Sequence, residues 1–250
     1  MGRGRIRIDL LIHDLKVPLA VIEAGANSLL KRVEKYGPLT EKQKKVLARV
    51  LRNAKATQTL VNDAMELGRS RKGIVHLSEF ALSTLIEQTL VEIFDLADSS
   101  ASEKIYSCSD LTRLRDELQE RGLRLLIDEG LWCREFCLDK AKVQQILRNL
   151  LNNALKYRKK QVELGVDQED GYLVISVKDD GEGIPSVYHE KIFDSYFQLD
   201  ATDCCSVRGH GLGLAGVMVL VEDMGGKLLL ESDVGMGAKF SVMVPLATDK

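Results

Sequence analysis

Four polar residues share one side of a predicted helix in the stretch QQILRNLLNNALKY: Gln145, Asn149, Asn153 and Lys156. Their spacing of four, four and three positions places them in one stripe, with the leucines on the other side. Asparagine is a poor helix former and an odd choice for a surface that needs only solubility. Amide oxygens suit Mg²⁺, and a lysine one turn away can bind phosphate. The stripe therefore predicts a magnesium and phosphate site, with a solvated helix face as the alternative.

Two glycine-rich segments follow this helix. VKDDGEGIP runs from a predicted strand into D-x-G-x-G, where Asp179 can accept a hydrogen bond from an exocyclic amine such as that of adenine. Gly181 and Gly183 allow the backbone to turn sharply beside a ligand. RGHGLGLAGV places glycines before an apolar helix, whose first backbone amides can bind phosphate. Either segment alone is weak evidence, because turns and glycine-rich loops are common.

The stretch LIHDLKVPL contains a histidine beside an acid. At about 100° per residue, His13 lies nearly opposite the apolar stripe that includes Leu11 and Leu15, so we expect it to face solvent rather than a core. An exposed neutral imidazole is a competent nucleophile, and Asp14 is placed to orient it and to accept its proton. Pro18 favours a bend beside the reacting residue, with a proline at a helix start as the rival explanation.

His13 belongs to the first of two predicted long helices. YGPLT interrupts the first helical pattern, and Thr40 followed by Glu41 marks a new helix start. Two helices of about 30 residues joined by a short turn leave apolar surface exposed unless a second copy completes a four-helix bundle, so we expect a symmetric dimer. The predicted apolar stripes are Leu11, Leu15, Pro18, Ile22, Gly25, Leu29, Val33 and Tyr36, then Leu47, Val50, Leu51, Ala54, Thr57, Val61 and Ala64.

A second domain is predicted after the basic linker GRSRKG, which gives domains at 1–71 and 72–250. Strands and helices alternate there with antiparallel hairpins, which indicates an α+β fold: an α/β sandwich with helices on one face of a mixed sheet. The polar stretch 98–110 is interpreted as an insertion without an assigned function. Predicted strands are 74–80, 122–128, 135–139 and the hairpins 162–179 and 226–246, and predicted helices are 82–97, 111–121 and 140–157.

Composition excludes several classes of partner. The 35 basic and 37 acidic residues give a net charge of −2, without the cationic excess of a protein that binds nucleic acid or an anionic membrane. An odd count of 5 cysteines suits a reducing cytoplasm, and Cys133 with Cys137 is weak evidence for zinc. No apolar run approaches the roughly 20 residues of a membrane span. The abrupt opening, MGRGRIRIDLL, leads us to expect an upstream module.

The order of these motifs is more specific than any one of them. Along 74–248 the asparagine helix, D-x-G-x-G, KIFDSYFQ, GHGLGL and a late glycine hairpin follow one another. This order resembles the catalytic ATP-binding domain of sensor histidine kinases, a branch of the GHKL ATPases, and His-acid-x-x-x-Pro extends the resemblance to nearly the whole chain. The resemblance implies an ATP- and Mg²⁺-dependent autokinase that acts as a homodimer. It would phosphorylate His13 and transfer the phosphoryl group to an aspartate of a response regulator receiver domain.

The resemblance also implies roles for residues around the nucleotide. Asn149 and Asn153 would hold Mg²⁺ with the phosphates, Lys156 would bind phosphate and Tyr157 would pack near the adenine. Asp179 would bind the adenine amine, and the two glycines that follow, Gly181 and Gly183, would shape the floor of the pocket.

A mobile lid at about 194–213 would close over the phosphates. Arg208 and His210 in it can stabilise the charge of the transferring group, whereas Cys204 and Cys205 are either redox-active or bystanders. The predicted ATP-binding residues at the end of this lid are Arg208, Gly209, His210, Gly211, Leu212 and Gly213.

One stretch, 98–110, and one position depart from the resemblance, and two alternatives stay open. Many relatives carry Thr or Asn four residues after the histidine, where this chain has Val17. One alternative is a dimeric module of the same fold that binds nucleotide or a partner kinase without catalysis. The other is an ATPase clamp of the gyrase, chaperone or mismatch-repair kind, which would lack the histidine-bearing hairpin.

Overall fold

The chain divides into two compact units, Met1–Lys72 and Gly73–Lys250. The structure, a computed structural model, describes residues 8–70, 75–95, 99–108, 110–194 and 213–246, and in the helices it describes the backbone alone at 8–14, 55–56, 59–60, 62–70 and 99–102. No helix within those ranges is long and apolar enough to cross a membrane.

The first unit is the predicted helical hairpin. Helix α1 (Ile8–Lys31) is followed by the one-turn helix α2 (Val33–Tyr36) and by α3 (Glu41–Ser70), which packs against α1. Thr40 starts α3 as predicted, because its hydroxyl accepts the Gln43 N–H at 3.3 Å while the Gln43 side chain accepts the Thr40 N–H at 2.9 Å. The prediction of one helix through Tyr36 was wrong, since the backbone leaves the helical region at Arg32 (φ −104°, ψ 62°).

The predicted stripe of α3 contains the buried residues described in that helix, although Val50 and Thr57 of the stripe are exposed, and the predicted stripe of α1 contains none among its described side chains. Ala54 and Val61 of α3 are buried, whereas Leu15 and Ile22 of α1 are exposed. The side of α1 with the least exposure is offset by one residue, at Leu19, Glu23, Ala26 and Leu30. Because α1 is apolar on two sides, periodicity alone does not tell which side faces α3.

The second unit has seven strands in chain order among its described residues: β1 (Ser78–Ala81), β2 (Leu123–Leu126), β3 (Glu135–Leu138), β4 (Val162–Glu169), β5 (Tyr172–Asp179), β6 (Lys227–Ser232) and β7 (Ala238–Pro245). Five form a sheet in the order β2-β4-β5-β7-β6, in which β2 runs parallel to β4 and the other pairs are antiparallel. This confirms a mixed sheet. The predicted strands β1 and β3 pair with each other in a separate antiparallel sheet.

Its described helices are α4 (Leu82–Asp95), α5 (Ser99–Tyr106), α6 (Leu111–Glu120), α7 (Glu129–Trp132), α8 (Lys140–Tyr157) and α9 (Gly213–Asp223). An aspartate precedes α6, α7 and α8, and each accepts the N–H three residues on. Alternate residues of β5 are buried on the side where α8 packs: Leu173, Ile175 and Val177. Burial with a period of two beneath helices is the predicted α+β arrangement.

The polar stretch 98–110 contains a helix that was not predicted. Ser99–Tyr106 forms α5, which packs against α4, and Ile105 is only 2% exposed within the core. A polar stretch can still form a helix of the core when one apolar side chain reaches inward. The short helix α7 was not predicted either.

Candidate functional site

Helix α8 presents the polar stripe, and this stripe is not a solvated face. Gln145 is only 5% exposed, and Asn149 and Asn153 are half-buried. On the other side of the helix Leu150 and Leu151 are buried in the core, so the helix cannot rotate without exposing them. The alternative interpretation of the stripe, a face that serves only solubility, is therefore wrong.

The two predicted magnesium ligands lie beside the first residue of α9. The Asn149 side-chain amide donates to the Gly213 carbonyl at 3.3 Å. A Cβ at Gly213 would lie 4.0 Å from both Asn149 Cγ and Asn153 Nδ2. Gly213 is the last residue of the predicted lid, so the fold brings the asparagines of α8 to the end of that segment.

The chemistry of this corner suits Mg²⁺. Because the Gly213 carbonyl can only accept, it fixes Nδ2 of Asn149 toward itself and leaves Oδ1 as the ligand atom. Protein sites for Mg²⁺ use few protein oxygens and complete their shell with water and substrate phosphates. Among the described residues no group of three or more His, Cys, Asp or Glu side chains could hold a metal, and Cys133 and Cys137 are free thiols.

Asp179 ends β5 as a buried carboxylate, 6% exposed. Burial raises the pKa of this carboxyl group; backbone hydrogen bonds from Gly181 and Ala238 oppose that rise, and the neighbouring Asp180 adds to it. The bond from the Gly181 N–H measures 2.8 Å. A buried carboxylate has further lone pairs, and a donor such as an amine would compensate part of the cost of its burial.

The glycines after Asp179 are required by close contacts between backbones. A Cβ at Gly181 would lie 2.5 Å from the Tyr157 carbonyl oxygen. Gly183 has φ +73°, and a Cβ there would lie 1.8 Å from the carbonyl oxygen of Asp233. Loop 180–185 therefore packs closely between the end of α8 and the β6–β7 turn. Such close packing of backbones is compatible with a loop that forms the floor of a pocket.

Sequence reasoning missed residues that hold this loop. Ser232 accepts the Ile184 N–H at 2.8 Å and donates to the Gly237 carbonyl at 2.7 Å. Gly237, with φ +74°, would place a Cβ 2.0 Å from the Asp179 carbonyl oxygen. The repeated glycines of SDVGMG were a sequence signal that two backbones approach each other closely. Nothing in the sequence indicated that Ser232 holds the loop.

Lys156 and Tyr157 lie together at the end of α8. Lys156 Nζ donates to the Tyr157 hydroxyl at 2.9 Å and lies 4.5 Å from the ring centroid. The tyrosine side chain is 52% exposed, while its carbonyl adjoins Gly181. Asp180, which sequence reasoning also missed, accepts the N–H groups of Lys159 and Lys160 at 2.8 and 3.0 Å and so ties this end of α8 to β5.

The segment KIFDSYFQ begins with a short 3₁₀ turn at Lys191–Phe193, anchored by an edge-to-face contact of Phe193 with Phe240 of β7 at 6.5 Å. His13 and Asp14 lie in α1, but their side chains are outside the described part of the chain. The remaining predicted lid residues lie outside the described residues altogether: Cys204, Cys205, Arg208, Gly209, His210, Gly211 and Leu212.

Two family models match the chain. Residues 10–73 match the His Kinase A (phospho-acceptor) domain, and residues 138–248 match the histidine kinase-, DNA gyrase B-, and HSP90-like ATPase. The first match contains His13, Asp14 and Pro18, and the second contains the asparagines of α8 and D-x-G-x-G. The phospho-acceptor match argues against an ATPase clamp of the gyrase or chaperone kind.

Relatives and solved structures agree with these matches. The chain is 31% identical to the circadian input-output histidine kinase CikA of Synechococcus elongatus, over 94% of this chain and 29% of CikA. It is 30% identical to the autoinducer 2 sensor kinase/phosphatase LuxQ of Vibrio cholerae, over 97% of this chain and 27% of LuxQ. The chain thus spans less than a third of either relative.

Two solved structures share the fold. Full-length ShkA in complex with AMPPNP superposes with a TM-score of 0.66 at 24% identity, over 97% of this chain and 46% of ShkA. The Acinetobacter baumannii histidine kinase AdeS superposes with a TM-score of 0.57 at 16% identity, over 94% of this chain and 98% of that one. With the asparagines, the D-x-G-x-G loop and the phospho-acceptor helix in the family's order, the chain belongs to the sensor histidine kinases.

Proposed function

We propose that this chain is an ATP-dependent protein-histidine autokinase of a two-component system, with a phosphotransfer domain at 1–71 and an ATP-binding domain at 72–250. The observation that carries the proposal is that Asn149 and Asn153 lie beside Gly213, on a helix that packs against β5, the strand that ends in buried Asp179. A non-catalytic module that binds nucleotide could share these ligands, but it would have no use for His13 beside Asp14 in the helix that the phospho-acceptor model matches.

The proposed reaction is an in-line transfer of the γ-phosphoryl group. A ring nitrogen of His13 attacks the phosphorus, the bond to the β–γ bridging oxygen breaks and ADP leaves, while Asp14 accepts the imidazole proton. Bound Mg²⁺ would neutralise phosphate charge, with Asn149 and Asn153 as its protein ligands. Asp179 accepts a hydrogen bond from the adenine amine, and Lys156 binds phosphate beside the ring of Tyr157.

The proposed lid lies over the phosphates and excludes water. Arg208 and His210 stabilise charge on the transferring group, and Gly209, Gly211 and Gly213 let the backbone approach the phosphates, with Leu212 between them. A receiver-domain aspartate then takes the phosphoryl group from His13, and return of the proton that Asp14 accepted restores the neutral imidazole.

The proposed assembly is a homodimer through the hairpin, because α1 keeps large apolar side chains exposed on the side away from α3. The near-neutral charge gives no reason to expect nucleic acid as a partner. Use of ATP, together with the absence of disulfides at Cys108, Cys133 and Cys137, favours the cytoplasm as its compartment.

The test is incubation with γ-labelled ATP and Mg²⁺, followed by acid and by alkali. We expect label that is lost in acid and kept in alkali, as phosphohistidine requires, and none of it in His13→Gln. His76→Gln is the matched control, because the side chain of His76 is exposed and its one described hydrogen bond, to Asp139, uses the backbone N–H. Nucleotide binding that persists without any labelling of the unmodified protein would favour the non-catalytic module.

A further inference from the structure

Gln145 links two surface residues to Asn149. Its side-chain oxygen accepts from the Arg148 guanidinium, and its Nε2 donates to Asn149 Oδ1 at 3.4 Å. Arg148 in turn donates to Glu92 Oε2 of α4 at 3.2 Å. We call these four residues the α4–α8 relay: Glu92, Arg148, Gln145 and Asn149.

The direction of every bond in the relay is fixed by groups of a single polarity. The Glu92 carboxylate only accepts, and the Arg148 guanidinium only donates, so the oxygen of Gln145 must face Arg148. The amide nitrogen of Gln145 is then left for Asn149 Oδ1. At the other end the Gly213 carbonyl only accepts, so it takes Nδ2 of Asn149. The two ends therefore agree on one orientation of the Asn149 amide.

We propose that Gln145 is a positioning residue that presents Asn149 Oδ1 to the magnesium ion. This inference rests on the proposed function, in which Asn149 is a metal ligand. Oδ1 has two lone pairs, and the hydrogen bond from Gln145 uses one and leaves the other for a cation. Partners that orient a ligand atom in this way tune metal binding without touching the metal.

The relay acts through orientation more than through its ion pair. The side chains of Arg148 and Glu92 are 35% and 46% exposed, so their attraction is screened by water. Gln145, by contrast, is buried, and its side-chain amide is the donor that the described residues supply to Asn149 Oδ1. The dependence on Mg²⁺ should therefore respond more to Gln145 than to Arg148.

The test is binding of ADP to the full chain across a magnesium titration and in EDTA, with Gln145→Met and Gln144→Met as a matched pair. Methionine keeps the length and flexibility of glutamine but has no N–H. Gln144 donates to Glu92 at 3.1 Å and has no described bond to Asn149, so it receives the same substitution without breaking the link. We expect Gln145→Met to raise about tenfold the Mg²⁺ concentration that gives half of the increase in ADP affinity. ADP binding in EDTA and the thermal midpoint should stay unchanged. Gln144→Met should behave like the unmodified protein in all three measurements.

Three results would overturn the inference. Equal weakening of ADP binding with and without Mg²⁺ would make Gln145 a packing residue, and an unchanged titration would remove its role. A larger effect of Arg148→Met than of Gln145→Met would move the dependence to the guanidinium. If the unmodified protein bound ADP with no dependence on Mg²⁺, the metal site of the proposed function would itself fail, and this outcome is distinct from the other three.

Discussion

The two units of the chain differ in how far they bury their apolar side chains. In the α/β unit a continuous core runs from α4 through the five-stranded sheet to α9, so its described strands and helices bury one another. In the hairpin, the described apolar side chains that are buried are small or β-branched, namely Ala26, Ala54 and Val61. Ile22, a larger side chain of the same hairpin, is 47% exposed.

This difference indicates that the units tolerate change in different ways. The α/β unit is closed at its site, where backbones are in contact and an added Cβ at Gly181 or Gly183 has no room. The hairpin is open at Gly25, where an added methyl group meets nothing within 4 Å in the protomer. Changes on the exposed side of the hairpin should therefore act on its partners, whereas changes at the site loop should act on the stability and ligand of the α/β unit.

The largest effect is expected from Gly183→Ala. A Cβ there would lie 1.8 Å from a backbone oxygen, at a positive φ, so the loop against the β6–β7 turn must open, at a cost of roughly 3 kcal/mol or more. Gly25→Ala in α1 is the matched control, because its Cβ meets nothing within 4 Å, and it should gain about 0.5–1 kcal/mol. Urea unfolding of both variants measures this, and equal stabilities would refute the contrast between closed and open units.

The second prediction concerns the exposed side of α1. Ile22→Glu should dissociate the proposed dimer, because a symmetric interface would bury two carboxylates without partners and raise the dissociation constant by roughly a hundredfold or more. Val187→Glu, at an exposed valine of the other unit, should change nothing. Light scattering across protein concentrations measures the mass. A dimer that persists in Ile22→Glu would show that this side of α1 is not the interface.

The third prediction separates binding from stability at Asp179. Asp179→Asn should weaken nucleotide binding by about 1–3 kcal/mol, because the adenine amine loses a charged acceptor in a buried site. Glu182→Gln makes the same chemical change at an exposed position of the same loop and should bind normally. Calorimetric titration with ADP distinguishes them, and normal affinity in Asp179→Asn would move the adenine contact elsewhere.

The same variant should be more stable at neutral pH. Burial raises the pKa of Asp179 in the folded protein, so the folded state holds the proton more tightly than the unfolded chain does. That contribution to stability is present at low pH and is lost as the pH rises through the raised pKa. Asp179→Asn removes the ionisation, so its thermal midpoint should exceed that of the unmodified protein at pH 7, with a gap that narrows as the pH falls. A constant gap would show that ionisation is not the cause.

Motifs whose residue types and spacing indicate a chemistry could be predicted from the sequence. The asparagine stripe and the D-x-G-x-G loop each have their spacing within one element, and Asn149 lies in α8 and Asp179 at the end of β5. Ser232 and Gln145 act through partners on other elements or through a neighbouring side chain, and residue type alone does not reveal such partners. The packed side of α1 could not be predicted either, because two sides of that helix are apolar.

The smallest expected effect concerns Val17, four residues after His13. Hydrolysis of a regulator's aspartyl phosphate needs a water held in line with the phosphorus, and the resemblance assigns this to the Thr or Asn that many relatives carry here. Val17 is 55% exposed on α1, so a docked regulator can reach it, but it neither donates nor accepts a hydrogen bond. We therefore expect a kinase-biased protein, and a gain of phosphatase activity in Val17→Thr.

The measurement is the decay of phosphorylated regulator with ADP present, for the unmodified protein and for Val17→Thr. Threonine has nearly the shape of valine, so docking should be equal and the rate of decay alone should rise. Val21→Thr makes the same change one turn further on, at another exposed valine of α1, and should leave the decay slow. Rapid decay with the unmodified protein would mean that another group, such as Lys16 or the backbone, positions the water, because a valine side chain has no atom that can hold it.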